Sequence, residues 1–307
     1  MTALYEYFLP LLQAFIMFAL AVMLARIAER KWPIAKVPAA EYIADIKLSS
    51  LTIFLGWLLG PLTGACAAMI VSLAGGGWIE LRADGWWFPV SLVTIILTLD
   101  FVSYWVHRAQ HAVPALWAMH SLHHSAEAMS VVTGARHFWF ENVIQSALLP
   151  FMAVLFKIPP VFIMIVPVIY FLPDGCAHLN IRLQLGRFAL LLNNPQYHRI
   201  HHSLQPEHLN TNFCKMLPLF DLMFGTAWRP GPNEFPATGL APSEKPRGFL
   251  DGFIWPLRNQ IPLPSICGGN ASVSLNSRRT ITASDQYNAA SARRVTEPAG
   301  NEGTQAS

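Results

Sequence analysis

HRAQHAVPALWAMHSLHHS, residues 107–125, packs five histidines into nineteen positions directly after a long apolar run. His107 and His111 are four residues apart, His120, His123 and His124 repeat the three-and-four spacing, and His198, His201 and His202 repeat it again downstream. Residues three and four apart share one face of an α-helix, so each group can turn two or three imidazoles toward a single point. All eleven histidines fall between 107 and 208. Core packing gives no reason for such clustering. Neutral imidazole, in contrast, suits iron, copper, zinc and nickel and brings no anionic charge to a membrane edge. A lone histidine such as His208 reads instead as a satisfied structural group.

The surrounding chain sets the fold. With 53% hydrophobic and 13% charged residues in 307 positions and a positive mean hydropathy, it is too apolar for an ordinary water-soluble domain. Segments 7–28, 48–74 and 88–106 are each long and uncharged enough to cross a hydrocarbon core about 30 Å thick as helix. A fourth apolar stretch, 143–172, is divided by Lys157, Pro159 and Pro160 and reads as a helical hairpin rather than a single span. The first helix has no basic leader and no small-residue cleavage site, so it is expected to be retained. The expected fold is therefore an all-α integral membrane protein. It has about three spanning helices in 1–106, and a histidine-box catalytic region over 107–230 that forms a helical cap and includes the 143–172 hairpin. A Pro- and aromatic-rich peripheral segment follows over 231–267. The Gly-, Ser- and Asn-rich stretch 268–307 cannot bury enough apolar surface to fold and is expected to be a disordered tail.

Basic residues orient the chain. Arg26, Arg30, Lys31, Lys36 and Lys47 cluster between the first two helices, which places that loop, and with it the end of the third helix, on the cytoplasmic side. A hairpin that leaves and returns to the same face lets the histidines before and after it meet. The formal net charge of +3 and the absence of a basic run with interleaved aromatics exclude nucleic acid as a natural partner. Cys66, Cys176, Cys214 and Cys267 show no CxxC pairing, so neither a disulfide framework nor a thiolate zinc site is expected.

Eight or nine imidazoles exceed the four ligands of a structural zinc site, and two metal ions sharing the set is the natural count. At the end of a membrane bundle such a centre faces substrates entering from the bilayer, so the substrate is expected to be a lipid. Asp100 lies seven residues before His107 on the same helical stripe, where an unpaired carboxylate is expensive. It is expected to orient a ligand imidazole from behind. Tyr104 and Trp105 read as interfacial belt aromatics. The rival from another class is a histidine-rich membrane transporter of zinc. A transport path needs ionisable ligands at mid-membrane in broken helices, whereas these motifs are expected to sit beyond the helix ends. A bis-histidine haem protein would leave most of the set unused.

DFVSYWVHRAQH (100–111), HSLHHSAEAMSVVTGAR (120–136) and NNPQYHRIHHSLQPEHLNTNFCKMLPLFDLMFGT (193–226) resemble the fatty acid hydroxylase/sterol desaturase superfamily of membrane non-haem di-iron enzymes. The resemblance implies that His107, His111, His120, His123, His124, His198, His201 and His202 ligate metal, with His178 as an additional ligand and His137 outside the set. It also implies two iron ions, dioxygen as co-substrate, an external electron donor acting as redox partner, and hydroxylation or desaturation of a sterol, fatty acyl or related lipid. The setting it implies is a bacterial inner membrane or the endoplasmic reticulum. The chain departs from the common pattern at Ser130, Asn210 and Cys214, where many relatives carry Asn, Asp and Gly. None of these changes removes a ligand.

Overall fold

The computed structural model describes residues 16, 19–146, 148–240 and 246–258. The start of the first expected helix and the 268–307 tail lie outside them. Residues 19–31 are helical (α1) and lead into α2, Ala39–Leu73. α2 begins nine residues before the expected span. Its two parts, Ala39–Gly56 and Leu58–Leu73, meet at 43°. The bend sits four residues before Pro61, which has no N–H to donate to the Trp57 carbonyl and whose ring crowds it.

α3, Trp87–Ala112, runs on through His107 and His111 before Val113 turns extended ahead of Pro114, which starts α4, Pro114–His124. The expected hairpin is a broken arm. α5 (Trp139–Ser146) and α6 (Leu148–Leu155) are eight residues each, and the chain then straightens as strand β2, Phe156–Lys157. That strand pairs in parallel with β1, Ile79–Glu80. Pro160 opens α7, which continues to Ala177, past the expected end at 172. α3 and α7 are each long and apolar enough to cross a bilayer, and α2 makes a third span if its bent halves act as one. Ile163, Met164, Val168 and Leu172 of α7 and Phe54, Leu58 and Leu62 of α2 leave large apolar side chains uncovered, as lipid-facing helices do. The protein is thus a mostly helical integral membrane protein.

Where α3, α6 and α7 meet, Ile95, Leu99, Met152, Phe162, Val166 and Tyr170 form the main apolar core. The second half of the chain returns to the end of this bundle through α8 (Pro195–His201) and α9 (Leu219–Met223). Asn194 caps α8 by accepting from the Tyr197 N–H at 3.1 Å. The described part of the segment expected to be peripheral is built into the fold. α10 (Phe249–Phe253) brings Gly252 so close to Leu48 that a Cβ there would lie 2.7 Å from a leucine methyl. α11 (Trp255–Arg258) buries Trp255 completely, its Nε1–H donating to Ser121 Oγ on α4 at 2.8 Å. Burial of a large aromatic is worth a few kcal/mol, which a proline-rich surface segment recovers by plugging the helix that carries three histidines.

Candidate metal centre

Four chain segments carry the nine histidines: the last turns of α3 (His107, His111), the end of α4 (His120, His123, His124), the residue capping α7 (His178), and α8 with its cap (His198, His201, His202). All nine are buried, none more than 6% exposed. They divide into two groups. His107, His111, His120, His124 and His201 form one, and His123, His178, His198 and His202 the other, the ligand atoms of each lying within 4.8 Å of one another. Nε2 atoms approach at 3.1 Å between His107 and His120 and between His111 and His124. In the second group His178 Nε2 is 3.1 Å from His123 Nε2 and 2.9 Å from His198 Nε2.

Hydrogen positions on the rings follow from what the other nitrogens touch. His107 Nδ1 meets the Phe213 carbonyl at 2.7 Å, His201 Nδ1 the Thr211 carbonyl at 2.7 Å, His178 Nδ1 the Asp174 carbonyl at 3.0 Å, and His120 Nδ1 the Glu141 carboxylate at 2.8 Å. These oxygens accept, so each Nδ1 donates and the neutral ring keeps its lone pair on Nε2. His107 and His120 then face each other lone pair to lone pair, and His201 Nε2 is buried without a hydrogen-bond partner. Protonation is a poor remedy, since burial pushes His120 down, holds His201 at about 3 and holds His178 at about 4. A cation shared by the Nε2 atoms satisfies them all. The donor set, all neutral nitrogen, fits a borderline metal such as iron.

Glu141 organises the rear of this centre and was not legible as a motif. Its Oε1 accepts from Gln110 Nε2 at 2.7 Å, His120 Nδ1 at 2.8 Å and His137 Nδ1 at 3.0 Å, with the side chain fully buried. Burial opposes its ionisation, but His137 and His120 outweigh it and hold the carboxyl well below the usual range. His137 itself stacks on His123 with ring centroids 4.2 Å apart. Its Nε2 faces the Gly134 carbonyl at 3.1 Å, and with His120 and Glu141 it makes a third, smaller set of close ligand atoms beside the two histidine groups. His208, hydrogen-bonded between Ser203 and Glu234, stands apart from both groups.

Among the described residues Asp100 is placed against backbone and a tyrosine, not against an imidazole. Its carboxylate accepts from the Met216 N–H at 3.0 Å, the Leu217 N–H at 2.8 Å and the Tyr170 hydroxyl at 3.3 Å, and it makes no hydrogen bond to an imidazole. Shared helical phase places it on the histidine stripe, but the chain at 216–217 reaches it first. Asp221 does the matching work three residues earlier, accepting from the Phe213 N–H at 2.8 Å and the Cys214 N–H at 2.9 Å. Two buried carboxylates, Asp100 on α3 and Asp221 on α9, thus hold residues 213–217 in place, and that segment presents the Phe213 carbonyl to His107. Tyr104 also departs from expectation. It is fully buried, its hydroxyl shared between Thr226 and Arg108, while Trp105 is exposed as an interfacial aromatic would be.

At the unusual positions the backbone is undisturbed. Asn210 has φ 60°, a conformation that asparagine tolerates as well as aspartate does. Cys214 is not among the positive-φ residues, so glycine is not required there. Ser130 is buried and its N–H donates to Thr133 Oγ1.

A helical membrane bundle whose helix ends gather two buried histidine groups is a scaffold able to hold metal. Residues 92–226, the region that carries all nine histidines, match the model of the fatty acid hydroxylase family. Over 151 residues the chain is 32% identical to the alkylglycerol monooxygenase of Xenopus tropicalis, covering 48% of this chain and 32% of that protein. It is 30% identical over 171 residues to the ornithine lipid hydroxylase of Rhizobium tropici, covering 54% of this chain and 50% of the relative. It is 26% identical over 162 residues to a very-long-chain aldehyde decarbonylase of Arabidopsis thaliana, covering 48% and 25%. The chain therefore spans a third to a half of the length of its first-matching relatives. No solved structure matches it.

Proposed function

We propose that this protein is an iron-dependent lipid monooxygenase. It would insert one atom of dioxygen into a lipid C–H bond, so that RH + O2 + 2 e⁻ + 2 H⁺ gives ROH + H2O, with the electrons delivered by an external redox protein. The observation that carries the reading is the pair of all-imidazole groups, five and four, whose Nε2 lone pairs converge in a dry site. One iron held by each group would supply the reductive activation of dioxygen that attack on an unactivated C–H bond requires. The chain's own part is to keep the nine rings neutral by burial, fix the tautomers of His107, His201, His178 and His120 through the Phe213, Thr211 and Asp174 carbonyls and the Glu141 carboxylate, and exclude bulk water.

The relatives named for alkylglycerol and ornithine lipid support a polar lipid as substrate. The Arg26–Lys47 basic cluster supports a cytoplasmic face for the histidines, in a bacterial inner membrane or the endoplasmic reticulum. Domain roles follow the division read from the sequence, with spans in 1–106, catalysis in 107–230, a region that also carries the candidate span α7, a peripheral segment at 231–267 and a tail at 268–307. The metal-transport alternative lacks support, because the histidines gather at one end of α3 instead of marking a path along the spans.

The test is incubation of the purified, iron-loaded chain with membrane lipid extract, a reductant and isotopically labelled dioxygen, followed by mass spectrometry. Label in a lipid alcohol is the expected result. An alkene with label only in water would assign desaturation. Zinc uptake by reconstituted vesicles without lipid oxidation would overturn the proposal.

A further inference from the structure

An apolar cavity of about 490 Å³ lies between α3, α6 and α7, with Leu99, Met152, Phe162 and Val166 among its walls. Ile163, also in the wall, is largely exposed on the apolar outer face of α7, so the cavity has lateral access from the bilayer. Beside the histidines is a second space of about 20 Å³, bordered by His107, His120, His123, His178, His198 and Asp174. Two residues line both spaces, Gln145 and Lys215, and they form the neck between them.

Lys215 is an unexpected residue at the inner end of an apolar cavity. Its Nζ donates to Gln145 Oε1 at 3.2 Å, and Gln145 Nε2 reaches back toward Glu141 Oε1 at 3.4 Å. Among the described residues it forms no ion pair, although Asp174 borders the same small space. A half-buried ammonium without a counter-charge is costly unless an anion arrives to meet it. Its position is also fixed on both sides: Asp221 holds the N–H groups of Phe213 and Cys214, and Asp100 those of Met216 and Leu217. The fold therefore commits two buried carboxylates to the placement of the segment that carries this cation. The space beside the histidines has about the room of a single water, so a bulky phosphodiester does not fit there, and a compact anion such as a carboxylate is the head group that can meet Lys215 at the neck.

We propose that Lys215 anchors the carboxylate of a long-chain acyl substrate whose tail lies in the apolar cavity. The lipid then enters head-first, and the carbons next to the carboxylate are the ones presented to the histidine centre. This rests on the oxygenase reading for its chemistry, but the binding claim stands on the cavity and the lysine alone.

The test is equilibrium binding to the full chain in phosphatidylcholine nanodiscs, stripped of metal with a chelator and corrected for empty discs. The probes are radiolabelled hexadecanoate and, in competition, methyl hexadecanoate and acetate. Wild type should bind the acid at least about tenfold more tightly than the ester, a difference of about 1.4 kcal/mol. Lys215→Met should erase that preference while leaving ester binding in place, and Lys215→Arg should keep it. Met152→Trp, which fills the cavity, should weaken both lipids, and acetate should not compete. Preference that survives Lys215→Met overturns the proposal. So does equal loss of both lipids in the Met and Arg variants, which would make the lysine a support of the fold, or competition by acetate at lipid-like concentration, which would make the site a free-anion site. No turnover is measured, so failure here leaves the oxygenase reading intact, and an inactive enzyme leaves this result standing.

Discussion

Replacing Glu141 with Gln isolates what a single buried charge contributes to the metal centre. In the native chain Oε1 takes hydrogen bonds from His120, His137 and Gln110, while Oε2 is buried with no partner. Glutamine keeps the shape and one accepting oxygen. It removes the charge assistance, roughly 1 kcal/mol for a bond of this kind, and lowers the basicity of the His120 ring that faces the metal. It also puts an N–H2 where Oε2 sits, with no acceptor in reach, at a cost of about 1–3 kcal/mol in stability. The expected loss of metal affinity is about 10–100-fold, the usual effect of removing a carboxylate behind a ligating imidazole. Because His120 belongs to the five-histidine group, the loss should fall there, with the His123, His178, His198 and His202 group changed less, through the His137 stack on His123. A competitive chelator titration with iron counted per chain reads this out: the variant should drop from two irons to one at a chelator concentration that wild type tolerates. Unchanged retention of both irons, or their simultaneous release with the helical circular dichroism intact, would refute the reasoning.

Asp100→Asn should lower stability by about 1–3 kcal/mol, since an amide N–H2 would face the Met216 or Leu217 N–H, yet keep the iron count at saturating iron; iron loss without a fall in thermal midpoint would return Asp100 to the imidazoles. Acid should destabilise the chelator-stripped protein. His201 and His178 titrate at about 3 and about 4 in the fold, below their unfolded value, so the unfolded chain takes up protons first. Stability should be full above about pH 6.5 and fall as pH drops toward those folded values, and a thermal midpoint that rises on acidification would contradict this. Cysteines introduced at Ala115 and Glu207 in a cysteine-free background should be labelled from the same side of the membrane, and labelling from opposite sides would be incompatible with one shared centre.

The histidine motifs were legible because ligand spacing on a helix is a local property: three- and four-residue steps survive any tertiary arrangement. Their division into five and four was not. His123 and His124 are neighbours in sequence but serve different groups, and only the return of α7 and α8 decides which. Asp100 was found for a sound reason, the cost of a carboxylate in a span, but helical phase cannot say which partner arrives from 116 residues away. Glu141 gave a usable signal that went unread, a lone carboxylate entering an apolar stretch four residues after a histidine. The bend at Pro61 follows from proline's missing N–H. The β1–β2 clasp and the burial of Trp255 do not follow from any local pattern, because short pairings and single anchors are fixed by their distant partners.

The scattering of ligands along the chain orders its birth. His107 meets His120 across only thirteen residues, but His123 meets His178 across 55, and His198 reaches His178 from twenty further on. While a ribosome is still making α7, the nascent chain already displays five imidazoles on α3 and α4 and has no complete site to put a metal in. Neither group closes until α7 has been integrated and α8 has been translated. On the proposed iron reading, metal insertion would be a finishing step of biogenesis that follows assembly in the bilayer, and a cell that makes this protein would have to keep a half-built, histidine-rich hairpin from seizing the wrong ion before the last imidazoles arrive.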